Sequence, residues 1–422
     1  MSHSSQSGRS LDNVFPPRGM ALDDVAERLD ALYAQIPPVR QGRFGMFSLR
    51  GNEQIQEAAR RGYERFFSIN GLFARALPSL KAMHDEVLSS WAAELHTSAE
   101  CGVLTSGGSD SIFNAVHSIR EWAHERRGIP RGEVEIIAPF SAHAAFTKAC
   151  HFLGVRLVRV PLTDEFRVDL DAMSAAITDR TAALVASAPS WPHGVYDPIE
   201  AVGQLASERD LWLHVDACVG GCLTPFAREL GYDVPSFAFD VAGVSSVSVD
   251  LHKYGYAPKP CSTLFYADLE LRQFQGFETE DWSNGLYRTD AFVGSRPAGA
   301  ISGAWAVLRY LGREGYLDTA RRTMAVRDRV IAGVERIPEL HVVGSEMSLV
   351  ALGAADLDIT EIGKGLAGRG WSVFGVAHPP LIHLTCDAVD DELVDELLLD
   401  LVAVISDVAH GADVADGDIG YT

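Results

Sequence analysis

Between Gly102 and Tyr266 short apolar runs alternate with stretches of helical periodicity, and this alternation constrains the fold more than any other feature. The runs lie at 103–105, 134–139, 155–161, 182–188, 211–217, 245–250 and 262–266. Helical segments at 110–125, 142–153, 170–177 and 198–208 separate the first five. Continuous apolar strands spaced by helices build a mainly parallel sheet covered on both faces. The expected fold class is therefore α/β, a mainly parallel seven-stranded sheet between helices, filling residues 96–310. In such sheets ligands sit at the carboxyl ends of the strands.

The flanks read differently. Helices are expected at 20–40, ending at Pro37-Pro38, at 53–69 and at 80–95. They carry too little apolar surface for a core of their own, so segment 19–95 should pack on the main domain or on a second subunit. Residues 1–18 are Ser-rich and read as a disordered leader. From Ala300 a long helical stretch runs past Arg321 to Ile337, leading into a smaller C-terminal α+β domain, 311–422. Its expected strands are 340–343, 348–352 and 381–385, and its expected helices 359–369 and 391–405.

Composition excludes several function classes. The net charge is −21 over 422 residues, which disfavours nucleic acid and anionic membrane partners. No apolar run is long enough for a membrane span, and Met1 to Arg9 has no signal-peptide core, so a cytoplasmic protein is expected. The six cysteines are scattered as buried free thiols would be; Cys218 and Cys222, spaced C-x3-C, do not match a zinc pattern, and no metal site is expected.

Residues with chemical potential fall just after the apolar runs. Thr105-Ser106-Gly107-Gly108-Ser109-Asp110 joins a strand to an amphipathic helix, where glycines and a helix N-terminus can hold an anion. An ordinary N-capped turn is the plainer alternative. His143 follows the strand at 134–139 and could stack on a flat ring or simply cap a helix. Asp216 ends the strand at 211–217 and could meet a protonated ring nitrogen or be satisfied by backbone amides. His252-Lys253 lies between two strand-like runs. A lysine there can be desolvated, which makes its amine easier to deprotonate and able to form a Schiff base; the plainer reading is a surface lysine. The order of anion loop, histidine, strand-end aspartate and His-Lys pair is the layout of a pyridoxal 5′-phosphate enzyme of fold type I.

Four stretches narrow this further: Ser187-Ala188-Pro189-Ser190-Trp191-Pro192-His193-Gly194, His214-Val215-Asp216-Ala217-Cys218-Val219-Gly220-Gly221, Asp250-Leu251-His252-Lys253-Tyr254-Gly255-Tyr256-Ala257-Pro258-Lys259 and Phe292-Val293-Gly294-Ser295-Arg296-Pro297. Together they resemble the sphingosine-1-phosphate lyase family of the group II decarboxylase superfamily. The resemblance implies a homodimeric lyase with pyridoxal 5′-phosphate on Lys253, Asp216 at the pyridine nitrogen and His143 over the ring. It implies Ser106, Gly107, Gly108 and Ser109 at the phosphate, with His252 nearby, and Gly294 and Ser295 reaching in from the second subunit. Asn70, Lys259 and Tyr287 match substrate-pocket positions. The chain departs from the pattern at Phe73, where the family has histidine, at Trp191, where it has tyrosine, and at Leu49, in place of another tyrosine. Pro260 stands where glycine is usual. The cofactor side is intact and the substrate side has lost polar donors. The expectation is retro-aldol cleavage of a β-hydroxy amine other than sphingosine-1-phosphate. Amino-acid decarboxylation is the alternative, followed by aminotransfer and by a non-enzymatic scaffold.

Overall fold

The computed structural model describes residues 18–35, 43, 49–411 and 417–420. Nearly all of the expected leader, and the helix stop at Pro37-Pro38, lie outside the described residues. Three helices precede the sheet: α1 (Leu22–Tyr33), α2 (Glu53–Arg65) and α3 (Pro78–Glu94). The apolar stripe of α1 is uncovered within one chain, with Leu22 83% and Leu29 60% exposed. By contrast α3 buries Leu80, Val87, Leu88 and Trp91.

The central sheet contains β1 (Gly102–Thr105), β2 (Glu135–Pro139), β3 (Arg156–Val160), β4 (Thr181–Ser187), β5 (Trp212–Asp216), β6 (Val244–Val249) and β7 (Ser262–Tyr266), in the order β1-β7-β6-β5-β4-β2-β3. β7 runs antiparallel to both neighbours and every other pairing is parallel. The reason is local. Residues 250–261 join β6 to β7 without a crossover helix, so the chain returns antiparallel. That connection carries Lys253.

Helices α4 (Gly108–Arg127), α5 (Ala144–Leu153), α6 (Leu170–Ala175), α7 (Ile199–Glu208), α8 (Thr224–Glu229) and α9 (Leu269–Arg272) surround the sheet. A short hairpin follows, β8 (Phe277–Thr279) with β9 (Tyr287–Thr289). Its strands are three residues each and largely polar, so no alternation marked them. The long helix α10 (Ala298–Val334) is interrupted at Gly312, whose φ of 54° only glycine adopts freely. Its first half lies against α2, with Ser302 Oγ donating to the Gly62 carbonyl at 2.8 Å.

Beyond it stand β10 (Leu340–Gly344), β11 (Leu349–Ala354), α11 (Ile359–Gly368), β12 (Phe374–Ala377), β13 (Pro380–Thr385) and α12 (Asp391–Ala409). The four strands form an antiparallel sheet, β10-β11-β13-β12, with its own apolar cluster around Val350, Leu366, Ile382 and Leu401. β12 was not expected, because neighbouring prolines break its apolar pattern. Two tyrosines tie the 250–261 connection to this sheet: Tyr254 Oη donates to the Cys386 carbonyl at 2.6 Å and Tyr256 Oη to Asp387 Oδ1 at 3.1 Å. Asp387 Oδ2 also accepts from the Arg50 and Gly51 amides at 2.8 and 3.2 Å.

Candidate active site

A cavity of about 380 Å³ opens at the carboxyl ends of β1, β4, β5 and β6. It is lined by Ser106, Gly107, Gly108, Ser109, His143, Trp191, Asp216, His252, Lys253 and Lys259, together with Ser187, Cys218, Asp250 and Pro260. Ten of the site residues expected from the sequence thus meet in one place.

One end of the cavity is the N-terminus of α4, a 20-residue helix whose unpaired amides and dipole favour an anion. Gly107 caps it with φ 128°, a conformation closed to most side chains. A Cβ on Gly108 would sit 2.9 Å from both Asp250 carboxylate oxygens and 3.0 Å from Cys218 Sγ, so only glycine fits. The Ser106 hydroxyl is committed within the loop, donating to Asp110 Oδ2 at 2.9 Å. The sequence treats it as a donor for an anion; the structure gives that proton to Asp110.

Asp216 ends β5 and is buried. Its Oδ1 accepts from the Cys218 amide at 3.1 Å and from Ser248 Oγ at 3.3 Å. His143 caps α5, its Nδ1 accepting from the Ala145 amide at 3.0 Å, which fixes the ring and leaves its proton on Nε2. Burial, helped by the Lys253 charge, holds this imidazole below its ordinary pKa against the pull of Asp216 and Asp250.

Lys253 corrects the sequence reading. Burial alone lowers the amine's pKa, but the Asp250 carboxylate lies 3.1 Å from Nζ, with Cys218 and Asp216 adding to it, and the net shift is upward. The amine is held as an ammonium. Asp250 is itself buried and lowered: burial raises it, and Lys253, His252 and a 2.6 Å hydrogen bond from Ser262 Oγ outweigh that.

Trp191 closes the opposite wall. Its ring stands edge-on to His383 at 4.5 Å and to Phe374 at 5.3 Å, with Lys253 Nζ 5.8 Å from its centroid. Other candidates lie elsewhere in the same chain. Leu49 shares a separate cleft with Tyr256, His252 and Lys259. Asn70 Nδ2 donates to Ser295 Oγ at 2.9 Å, and Gly294 accepts from Arg296 in the same cluster. Tyr287 sits in the β8–β9 hairpin against Trp282. The Phe73 side chain lies outside the described residues.

Residues 76–353 match the family model described as the pyridoxal-dependent decarboxylase conserved domain. The chain belongs to this family. Within the pyridoxal-dependent decarboxylases it is similar to sphingosine-1-phosphate lyase of Arabidopsis thaliana, 40% identical over 96% of this chain and 76% of the plant protein. It is also similar to a probable L-tyrosine/L-aspartate decarboxylase of Methanothermobacter thermautotrophicus, 32% identical over 72% of this chain and 82% of that one. The solved structure of sphingosine-1-phosphate lyase from Burkholderia pseudomallei superposes with a TM-score of 0.89 at 35% identity, covering 94% and 93% of the two chains. The fold is that of fold type I enzymes, and the chain is a pyridoxal 5′-phosphate-dependent lyase of this family.

The cavity suits that cofactor: a glycine cradle at a helix N-terminus for the phosphate, a buried carboxylate for the ring nitrogen, and an amine between them. Sequence reasoning gave Asp250 and Cys218 no place in the cavity, and missed Phe374 and His383 behind Trp191. Asp250 carries the same signal as Asp216, an aspartate just after an apolar strand, and was legible by that rule. Phe374 and His383 were not, since they reach the cavity wall from the second sheet.

Proposed function

We propose that this chain is a carbon–carbon lyase acting on a β-hydroxy amine or a related amino acid, with Lys253 as the covalent anchor of the cofactor. One observation carries the reading: Lys253, Asp216, His143 and the α4 N-terminus face one cavity from four separate parts of the chain. When bound, pyridoxal 5′-phosphate draws electrons from the bond broken at the amine-bearing carbon. Asp216 would hold the proton of the ring nitrogen. His143, pinned by its capping bond, would cover the ring. Gly107, Gly108 and Ser109 would hold the phosphate, with Ser106 shaping the loop and His252 alongside.

Retro-aldol cleavage is preferred because of the similarity to sphingosine-1-phosphate lyases over most of the chain. The substrate differs from sphingosine-1-phosphate, because Trp191, Phe73 and Leu49 offer no hydroxyl or imidazole where the family has one. Lys259, which lines the cavity, meets an acidic group on the substrate. Decarboxylation is the second reading, supported by the similarity to the archaeal protein.

A homodimer completes the site. Asn70, Tyr287, Gly294 and Ser295 are away from their own chain's cavity and serve the cavity of the partner subunit. The uncovered stripe of α1 and exposed Phe140, Phe152 and Phe292 supply apolar surface for such an interface.

The test is incubation of the holoenzyme with β-hydroxy amines, with and without a phosphate, and with amino acids. An aldehyde product supports the lyase and carbon dioxide the decarboxylase. Turnover that depends on an α-keto acid, or no product from the whole panel, sinks both.

A further inference from the structure

Asp250 sits between an ammonium and an imidazole. Its Oδ2 is 3.1 Å from Lys253 Nζ and 3.6 Å from His252 Nε2, while its Oδ1 takes the Ser262 proton at 2.6 Å. The tautomer of His252 follows from its other nitrogen. Nδ1 lies 2.8 Å from the Cys261 carbonyl, which can only accept, and 3.2 Å from Ser262 Oγ, whose proton is already on Asp250. Nδ1 is therefore a donor. A neutral His252 then turns the bare lone pair of Nε2 toward a buried carboxylate. That arrangement is tolerable only while the Lys253 ammonium neutralises Asp250. Once the Lys253 nitrogen is drawn to the cofactor, Asp250 is left 3% exposed, with the neutral Ser262 hydroxyl on Oδ1 and His252 as the nearest group able to take a positive charge. A buried carboxylate without a cation is costly, and a proton on Nε2 removes the cost.

We propose that Asp250 is a catalytic residue, a shared counter-ion that pairs with the Lys253 ammonium when that amine is free and with a protonated His252 when Lys253 is bonded to the cofactor: the proton the ammonium gives up passes to His252 Nε2, and the aldehyde oxygen leaves as water with the two remaining amine hydrogens. The site thereby keeps one positive charge next to the glycine cradle of α4 throughout the cycle. The other groups facing these residues are Asp216, Cys218 and His143 around Lys253, Lys259 beside His252, and the buried thiols of Cys222 and Cys261 near Asp250. In the cofactor-free protein His252 is held low by burial and by Lys253, with Asp250 pulling the other way. Removing the lysine charge leaves the Asp250 pull less opposed.

The proposal rests on Lys253 as the anchor, and the experiment separates the two. Full-length protein freed of cofactor is mixed with pyridoxal 5′-phosphate and, separately, with pyridoxal, and the growth of visible absorbance is followed against pH. In Asp250→Asn the amine loses its counter-ion, so the pH midpoint for capture should fall by about one unit or more. At neutral pH capture of either aldehyde should then be about tenfold faster than in the wild type. Ser262→Ala, which keeps the charge and loses the hydrogen bond, should leave the midpoint within a few tenths of a unit. A midpoint unmoved in Asp250→Asn overturns the proposal. A wild-type protein that develops no band with either aldehyde overturns the anchor, and the proposal with it. A second measurement leaves Asp250 in place: in histidine-labelled Lys253→Ala, the His252 imidazole should titrate about one unit or more higher than in the wild type by NMR. An unchanged His252 titration also overturns the proposal.

Discussion

Replacing Lys253 by Ala should abolish the visible band that the wild type develops with pyridoxal 5′-phosphate, and with it turnover, by about 10³-fold or more. Asp216→Asn tests a different part of the same arrangement. Cofactor should still bind, while the rate falls by about 10²–10³-fold, the cost of losing one preorganised electrostatic contact. Stopped-flow absorbance with a competent substrate distinguishes the two, and an Asp216→Asn enzyme at full rate would remove Asp216 from the reading. Much of this was legible in the chain. A strand-end aspartate and a glycine pair before a helix each have a plainer reading alone, and it was their order along the chain with His143 and Lys253 that pointed to one site. The charge state of Lys253 was not legible, because it depends on how Asp250 folds back one turn behind it. The commitment of the Ser106 hydroxyl to Asp110 was likewise a matter of loop geometry.

At the scale of elements, two close approaches fix how helices meet the sheet. Gly108 at the start of α4 faces Asp250 and Cys218, so Gly108→Ala should weaken cofactor affinity by about tenfold or more, read by equilibrium dialysis. Gly203 in α7 is tighter still: a Cβ there would lie 2.3 Å from the Ala242 carbonyl, in the lead-in to β6. Gly203→Ala should cost about 1–3 kcal/mol of stability in denaturant unfolding, with the active residues untouched. A melting curve that overlays the wild type would show that the backbone there yields freely. The strands and helices of the large sheet were readable from apolar periodicity. The reversal of β7 was not, because direction is set by connection length and by what covers the sheet. β8, β9 and β12 escaped because short or proline-flanked strands carry no alternation.

The whole molecule has an acid edge that follows from three buried histidines. Burial pushes His193 and His214 down to about 4 and His383 to about 3, from an ordinary 6.5. The unfolded chain therefore binds more protons between about pH 4 and 6.5, so their stabilisation is complete above 6.5 and is lost as pH falls through that window. Each shift is worth on the order of 3 kcal/mol. Asp197, pushed up to about 6 by burial against its amide partners, works the other way and gains stability as pH falls below 6. Three groups against one decide the sign. The melting temperature should drop steeply from pH 6.5 towards 4.5 in calorimetry, and a flat profile would contradict it. A dimer with shared sites makes its own prediction: Lys253→Ala and a disabling Ser295 variant, each inactive alone, should regain up to about a quarter of wild-type activity when refolded together, since half of the dimers are hybrids and each hybrid has one intact site. No regain would place both residues in the same subunit's site.

The tyrosines of the 250–261 connection have a consequence for how the molecule moves. Tyr254 and Tyr256 bond to Cys386 and Asp387, at the end of β13, while Tyr316 Oη holds the Gly255 carbonyl at 3.0 Å. The connection that carries the amine is therefore bonded to the C-terminal sheet as well as to the strands on either side of it in sequence. Any rocking of that sheet over the cavity must swing Lys253 or break two buried phenol hydrogen bonds. Amide exchange in β13 then becomes a remote gauge of what the lysine is bonded to.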